Sequence, residues 1–153
     1  MPHQSHSIDH AVPAEVMATC AVLHTRKAAR AVTQLFDAVL QPSGLRATQF
    51  TLLIAVSLAG DLPLSALADT LAMDRTTLAR ELKLLAHEGL VTIAVAQDRR
   101  ARVVTLTRPG QEALARALPL WAQAQARIES QVGADHWRSA RAHLDKLVAA
   151  ATA

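Results

Sequence analysis

Residues 64–107, LSALADTLAMDRTTLARELKLLAHEGLVTIAVAQDRRARVVTLT, decide how the chain is read. A short helix opens at Pro63, with Leu67, Ala68 and Leu71 on its core side. Ala72-Met73-Asp74 then has the length of the turn in a helix-turn-helix. Asp74 suits an N-cap, since its carboxylate accepts from the free backbone N–H of Thr76 or Thr77. Leu78, Leu82 and Leu85 give the next helix a buried stripe, and Gly89 stops it. Val91, Ile93 and Val95 alternate with small or polar residues, as do residues 103–106, and the intervening AQDRRAR is polar. That pattern predicts a hairpin with one wet face. Helix, turn, a second helix opening on Arg75-Thr76-Thr77, and then a wing tipped by Arg99, Arg100 and Arg102 make an arrangement suited to entering a DNA groove.

Outward from this stretch the pattern is helical. Upstream, one long helix is expected from about Pro13 to Leu40, with Val16, Cys20, Leu23, Ala28, Ala31, Leu35 and Val39 along one stripe. Pro42-Ser43-Gly44 breaks it. A second helix over about residues 47–58 is expected to turn Phe50, Leu53, Ile54 and Ser57 inward. Downstream, Thr107 suits an N-cap and Pro109 a first turn, where its missing N–H costs little. Leu114, Leu118, Trp121, Ala124, Ile128 and Val132 carry that helix to Gly133, over roughly 35–40 Å, with Pro119 expected to bend it. A last helix over about residues 135–151 shows Trp137, Leu144, Leu147 and Val148. These terminal stripes lack a partner inside a winged-helix core, and dimerisation is the economical way to cover them. The fold class is therefore mainly α with a small β-hairpin wing. Residues 1–12 read as a flexible arm, 13–45 and 108–153 as a helical dimerisation region, and 46–107 as a winged helix-turn-helix.

Composition narrows the function. At 153 residues the chain can bury roughly two thirds of its unfolded surface without a disulfide or metal. One cysteine excludes an internal disulfide and fits a reducing compartment. No apolar run approaches the ~20 residues of a bilayer span, and the polar, His-rich start lacks the pattern of a secretory signal. A cytoplasmic protein without a membrane partner is expected. Net charge is only +3, so placement of the cations, rather than bulk charge, argues for nucleic acid.

Three segments in order, GLRATQFTLL at 44–53, LSALADTLAMDRTTLARELKLLAHEGLV at 64–91 and DRRARVVTLTRPG at 98–110, resemble the MarR family of winged-helix regulators. The resemblance covers nearly the whole chain from about Cys20. It implies a homodimer whose first and last helices intertwine, with one winged lobe per subunit. Arg46 departs from it, standing where the family usually has a threonine that caps the second helix, so that cap must come from elsewhere.

The expected partner is double-stranded DNA. Arg75, Thr76 and Thr77 are placed to face the major groove, where arginine pairs with guanine and threonine with several base edges. Arg80 matches a typical family arginine and is expected to hold a base or a phosphate, and Lys83 a phosphate. Arg100 matches the arginine that the family inserts into the minor groove, Asp98 its orienting partner, and Arg99 and Arg102 flank it. Cys20 stands where the peroxide-sensing OhrR type keeps its reactive cysteine, but that type holds the thiolate with tyrosines and this chain has none. It reads either as a redox sensor or as a small apolar residue of the dimer-side core. His24 reads as lining the family's ligand pocket or as a satisfied interior histidine. Seven histidines include no His-x-x-x-His or Cys-x-x-Cys pair on a rigid element, so no metal or cofactor is expected. An enzyme is disfavoured by the absence of a phosphate-binding glycine loop, a nucleophile–base pair or clustered carboxylates. A winged module that binds protein instead of DNA is disfavoured by the wing-tip arginines. The reading is a sequence-specific regulator, a repressor released by an aromatic carboxylate or phenol, acting as a homodimer on a pseudo-palindromic operator, with OhrR-type sensing through Cys20 as the alternative.

Overall fold

The computed structural model describes residues 11–60, 63–95 and 102–152. Its elements in order are α1 (Ala11–Thr19), α2 (Ala21–Leu40), a 3-10 turn at Gln41–Ser43, α3 (Ala47–Ala59), α4 (Leu64–Thr70), α5 (Arg75–His87), β1 (Val91–Val95), β2 (Arg102–Leu106), α6 (Arg108–Val132) and α7 (Ala134–Thr152). This is a mainly helical chain with one antiparallel hairpin, the winged helix-turn-helix expected. The chain divides between Leu35 and Phe36 into two compact units.

In the first unit the single long helix is corrected. Its helix is described from Ala11 onward and is interrupted at Cys20. Backbone bonds continue on both sides, from Cys20 N–H to the Val16 carbonyl at 2.9 Å and from His24 N–H to the Cys20 carbonyl at 3.1 Å. The His24 ring, however, lies 3.0 Å from the Ala18 carbonyl. In a regular helix those two residues are about 9 Å apart along the axis and roughly 120° apart around it. A side chain entering the carbonyl ladder is an established cause of helix distortion. Val12, Val16, Met17, Val22 and Val32 are all exposed.

The second unit is built on Leu40, Leu53, Leu78, Leu82 and Leu85, each fully buried. Around them pack Phe50, Leu52, Val56, Leu67, Val91, Val104 and Leu114. Helix α3 meets α4, α5, β2 and α6. With neighbours on two sides its buried positions are Phe50, Leu52, Leu53 and Val56, and Ser57, expected inside, is exposed. No side chain at Arg46 caps α3, and two other N–H groups at its start are satisfied instead. Arginine has no acceptor, so Gln49 Oε1 takes the Arg46 N–H at 3.0 Å and Asp37 Oδ1 takes the Ala47 N–H at 2.7 Å. The Gln49 amide also donates to Glu88 Oε2 at 2.9 Å, tying the start of α3 to the end of α5.

Helix α4 ends one residue before the expected turn, at Thr70, with Leu71 as its C-cap. Ala72 takes a left-handed conformation, φ 49°. Its N–H reaches the Asp69 carbonyl at 3.1 Å, and Met73 N–H reaches that of Ala68 at 2.9 Å, which satisfies the last carbonyls of α4. In the hairpin, Ile93 pairs with Val104 and Val95 with Arg102. Thr92 and Thr105 join hydroxyls across the wet face at 2.8 Å. Thr107 donates its hydroxyl to the Gly89 carbonyl at 2.6 Å and with the same oxygen accepts the Gly110 N–H at 3.1 Å, so one residue caps α6 and closes the hairpin. Helix α6 runs on through Pro119. Beyond Ala117 only Ala124 of that helix is buried, and no residue of α7 is. Leu118, Trp121, Val132, Leu144, Leu147 and Val148 are exposed, although the Trp121 ring stacks on Phe50 at 6.4 Å.

Candidate nucleic-acid interface

Helix α5 is the second helix of the helix-turn-helix, and its sequence makes it two-faced. Leu78, Leu82 and Leu85 are buried. The opposite side gathers Arg75, Thr76, Ala79, Arg80 and Lys83 around one shallow depression of about 420 Å3. At 100° per residue these five positions fall within about 140° of arc. Of the residues singled out on α5, the structure thus brings Arg75, Thr76, Arg80 and Lys83 together. Thr77 is not among them; it is half-buried, and its N–H donates to Asp74 Oδ1 at 2.9 Å. Ala79 was overlooked because it carries no hydrogen-bonding group. The signal for it was its four-residue spacing from both Arg75 and Lys83.

Arg80 rests against Glu81 at 3.3 Å, its side chain 70% exposed. An exposed pair of that kind is worth little, so the guanidinium is free to exchange Glu81 for a phosphate or base. Thr77 holds the Asp74 carboxyl below its ordinary pKa, through its side chain and then its backbone N–H. A lowered carboxyl pKa means stability that is present above the unfolded value, about 3.9, and lost as pH falls through the folded one. The stability difference between wild type and Asp74→Ala, followed by thermal unfolding, should be full at pH 7 and shrink below about pH 4. A gap independent of pH would show that the carboxylate is not the cap.

In the wing, Arg102 is exposed at the start of β2, opposite Val95. Asp98, Arg99 and Arg100 lie outside the described residues, as do His3, His6, His10 and the arm through residue 10. Cys20 is half-buried at the helix interruption. Among the described residues its thiol has no hydrogen bond or ion pair, and His24 turns to the Ala18 carbonyl rather than to it. Among the described residues no three His, Cys, Asp or Glu side chains converge on a metal position, and no helix is long and apolar enough to cross a membrane. A cleft of about 540 Å3 opens between the end of α3, strand β2 and α6. Val56, Val104, Leu106, Leu114 and Leu118 supply apolar wall, with Ser57, Thr105 and Gln111 as its polar groups.

No protein-family model matches the chain, and no curated protein matches it. Solved structures do. The M. tuberculosis transcriptional regulator MosR, in complex with DNA, is 39% identical over 88% of this chain and 97% of its own, with a TM-score of 0.81. A second crystal structure of M. tuberculosis MosR is 38% identical over 89% of this chain and 98% of its own, with a TM-score of 0.77. The chain belongs to the MarR family of transcriptional regulators. More distant MarR-type structures share its fold at lower identity. A MarR-family regulator from Rhodococcus sp. RHA1 is 18% identical over 93% of this chain and 96% of its own, with a TM-score of 0.70. The repressor CouR, solved on a 23-mer DNA duplex, is 23% identical over 86% of this chain and 94% of its own, with a TM-score of 0.76; it has also been solved with p-coumaroyl-CoA. Within the winged-helix fold, α5 is the second helix of the helix-turn-helix and the β1–β2 hairpin is the wing.

Proposed function

We propose that this chain is a double-stranded DNA-binding repressor that works as a homodimer on a pseudo-palindromic operator and is released by a small ligand. The observation that carries the reading is the clustering of Arg75, Thr76, Arg80 and Lys83 on the solvent side of a well-capped helix. A helix opening on Asp74, Arg75 and two threonines offers base-reading donors in its first turn and phosphate contacts in its next two. The DNA-bound MosR adds weight, being 39% identical along nearly its full length. Arg99, Arg100 and Arg102 would follow the minor groove beside it, with Asp98 orienting Arg100.

Dimerisation is supported by apolar side chains left in water on α1–α2 and on α6–α7, which a second copy would cover. The proposed division is a dimerisation region of residues 13–45 and 108–153 around a DNA-binding region of residues 46–107. Release is supported by the cleft whose wall includes β2, since a ligand wedged there bears on the strand that carries Arg102. A phenol or aromatic carboxylate suits its size and its few polar groups, and Cys20 and His24 are the further candidates for sensing. Such a ligand must favour a separation of the two α5 helices other than the roughly 34–36 Å of successive half-sites, or it shifts nothing. Ligand release is preferred to oxidation of Cys20, because no described group stabilises a thiolate there and the chain has no tyrosine.

Selection of duplexes from a random library, followed by fluorescence anisotropy, tests this. The expected product is an inverted repeat bound in the nanomolar range, as specific regulators bind, and weakened by phenol or benzoate. Enrichment of no sequence, or binding equal for every duplex, would contradict it. Lys83→Ala should weaken binding to all sequences alike and reduce the slope of log affinity against log salt by about 1 per chain. An unchanged slope would remove Lys83 from the phosphate contacts.

A further inference from the structure

We infer that Ala79 is a base-reading residue, its methyl meeting the 5-methyl group of a thymine in the major groove. The inference rests on the DNA reading above and adds a residue and a base to it. Arg75, Ala79 and Lys83 are spaced four apart and share one row of α5, Thr76 and Arg80 form the row beside it, and both rows line the depression. Eight residues of helix rise about 12 Å, which is about the width of the major groove. The row therefore presents a long cation at each end and a methyl midway, where the helix has no side chain to hold it off the base edges.

Of the five side chains around the depression, Ala79 alone has no polar atom. It cannot read a donor or an acceptor. The major groove carries one apolar mark, the C5 methyl of thymine, so the chemistry of the residue names the base. Any side chain much larger at this place would lift Arg75 and Lys83 from the groove together. The half-buried setting of Ala79 adds to the effect, because the contact closes against a helix surface that is already partly dry.

The experiment takes a duplex selected with the whole chain and replaces its thymines by deoxyuridine one at a time. Binding is measured for wild type and for Ala79→Gly, with circular dichroism confirming that the variant is folded. Wild type should lose about fourfold per half-site at one thymine, the worth of one buried methyl, and Ala79→Gly should bind the two duplexes equally. Equal losses in both proteins at every thymine, or no sensitive thymine in wild type, would overturn the assignment while leaving the DNA reading intact. A selection that enriches no duplex would overturn both. Should the glycine variant unfold, Ala79→Ser takes its place; its hydroxyl must abolish the same preference, and a serine variant that keeps it would overturn the assignment.

Discussion

Replacing Gly110 with alanine is expected to cost at least about 3 kcal/mol of folding stability, the upper range for forcing atoms into filled space. Gly110 is buried in the first turn of α6. A Cβ built on it would overlap the carbonyl oxygen of Leu90 and lie 2.9 Å from the carbonyl carbon. These are backbone atoms, and they are pinned. Leu90 N–H is bonded to the Leu85 carbonyl at 2.9 Å, and its own carbonyl accepts the Thr107 N–H at 3.1 Å. Thr107 in turn caps Gly110. Neither strand of this crossing can retreat without undoing the cap of α6, the closing bond of the hairpin or the end of α5. Gly89 provides the contrast: it has φ 74° and open space around its Cα, so alanine there meets only the conformational cost, roughly 1–2 kcal/mol. Urea unfolding followed by circular dichroism separates the two, and a Gly110→Ala midpoint equal to wild type would show that the crossing is loose.

Arg80→Ala and Arg100→Ala should each abolish tight operator binding while the circular dichroism spectrum and the mass in solution, that of a dimer on the proposed reading, stay as in wild type. A well-placed arginine–base contact is worth about 1–3 kcal/mol, and a symmetric dimer loses two of them. The expected fall is therefore at least about 30-fold, taking 1.4 kcal/mol per tenfold. Arg80 gives up only an exposed pair with Glu81 when it is removed, so the fold should not notice. An Arg80→Ala protein with wild-type affinity would remove that residue from the interface.

The parts of this fold legible in the chain were those governed by neighbours in sequence. Asp74 as a cap, Thr107 with Pro109 at the head of α6, the leucine stripe of α5 and the alternation of the hairpin each follow from chemistry acting over three or four residues. What was not legible depended on packing. Asp37 caps α3 from ten residues upstream, and no local rule announces it. Ser57 lost its inward place to Val56 because α3 is covered on two sides, whereas a single stripe presumes one. Cys20 interrupts a helix without a proline or glycine nearby; the contact of His24 with the Ala18 carbonyl accompanies it. On α5 the cations were legible and the methyl between them was not, because hydrogen-bonding capacity is what a search for base readers weighs first.

Hydroxyl-radical footprinting of the selected duplex asks whether two copies of the chain occupy successive half-sites on one face of one DNA. Two protected segments about one helical turn apart, both lost in Arg80→Ala, are the predicted result. A single protected segment, or protection that survives the loss of Arg80, would contradict it.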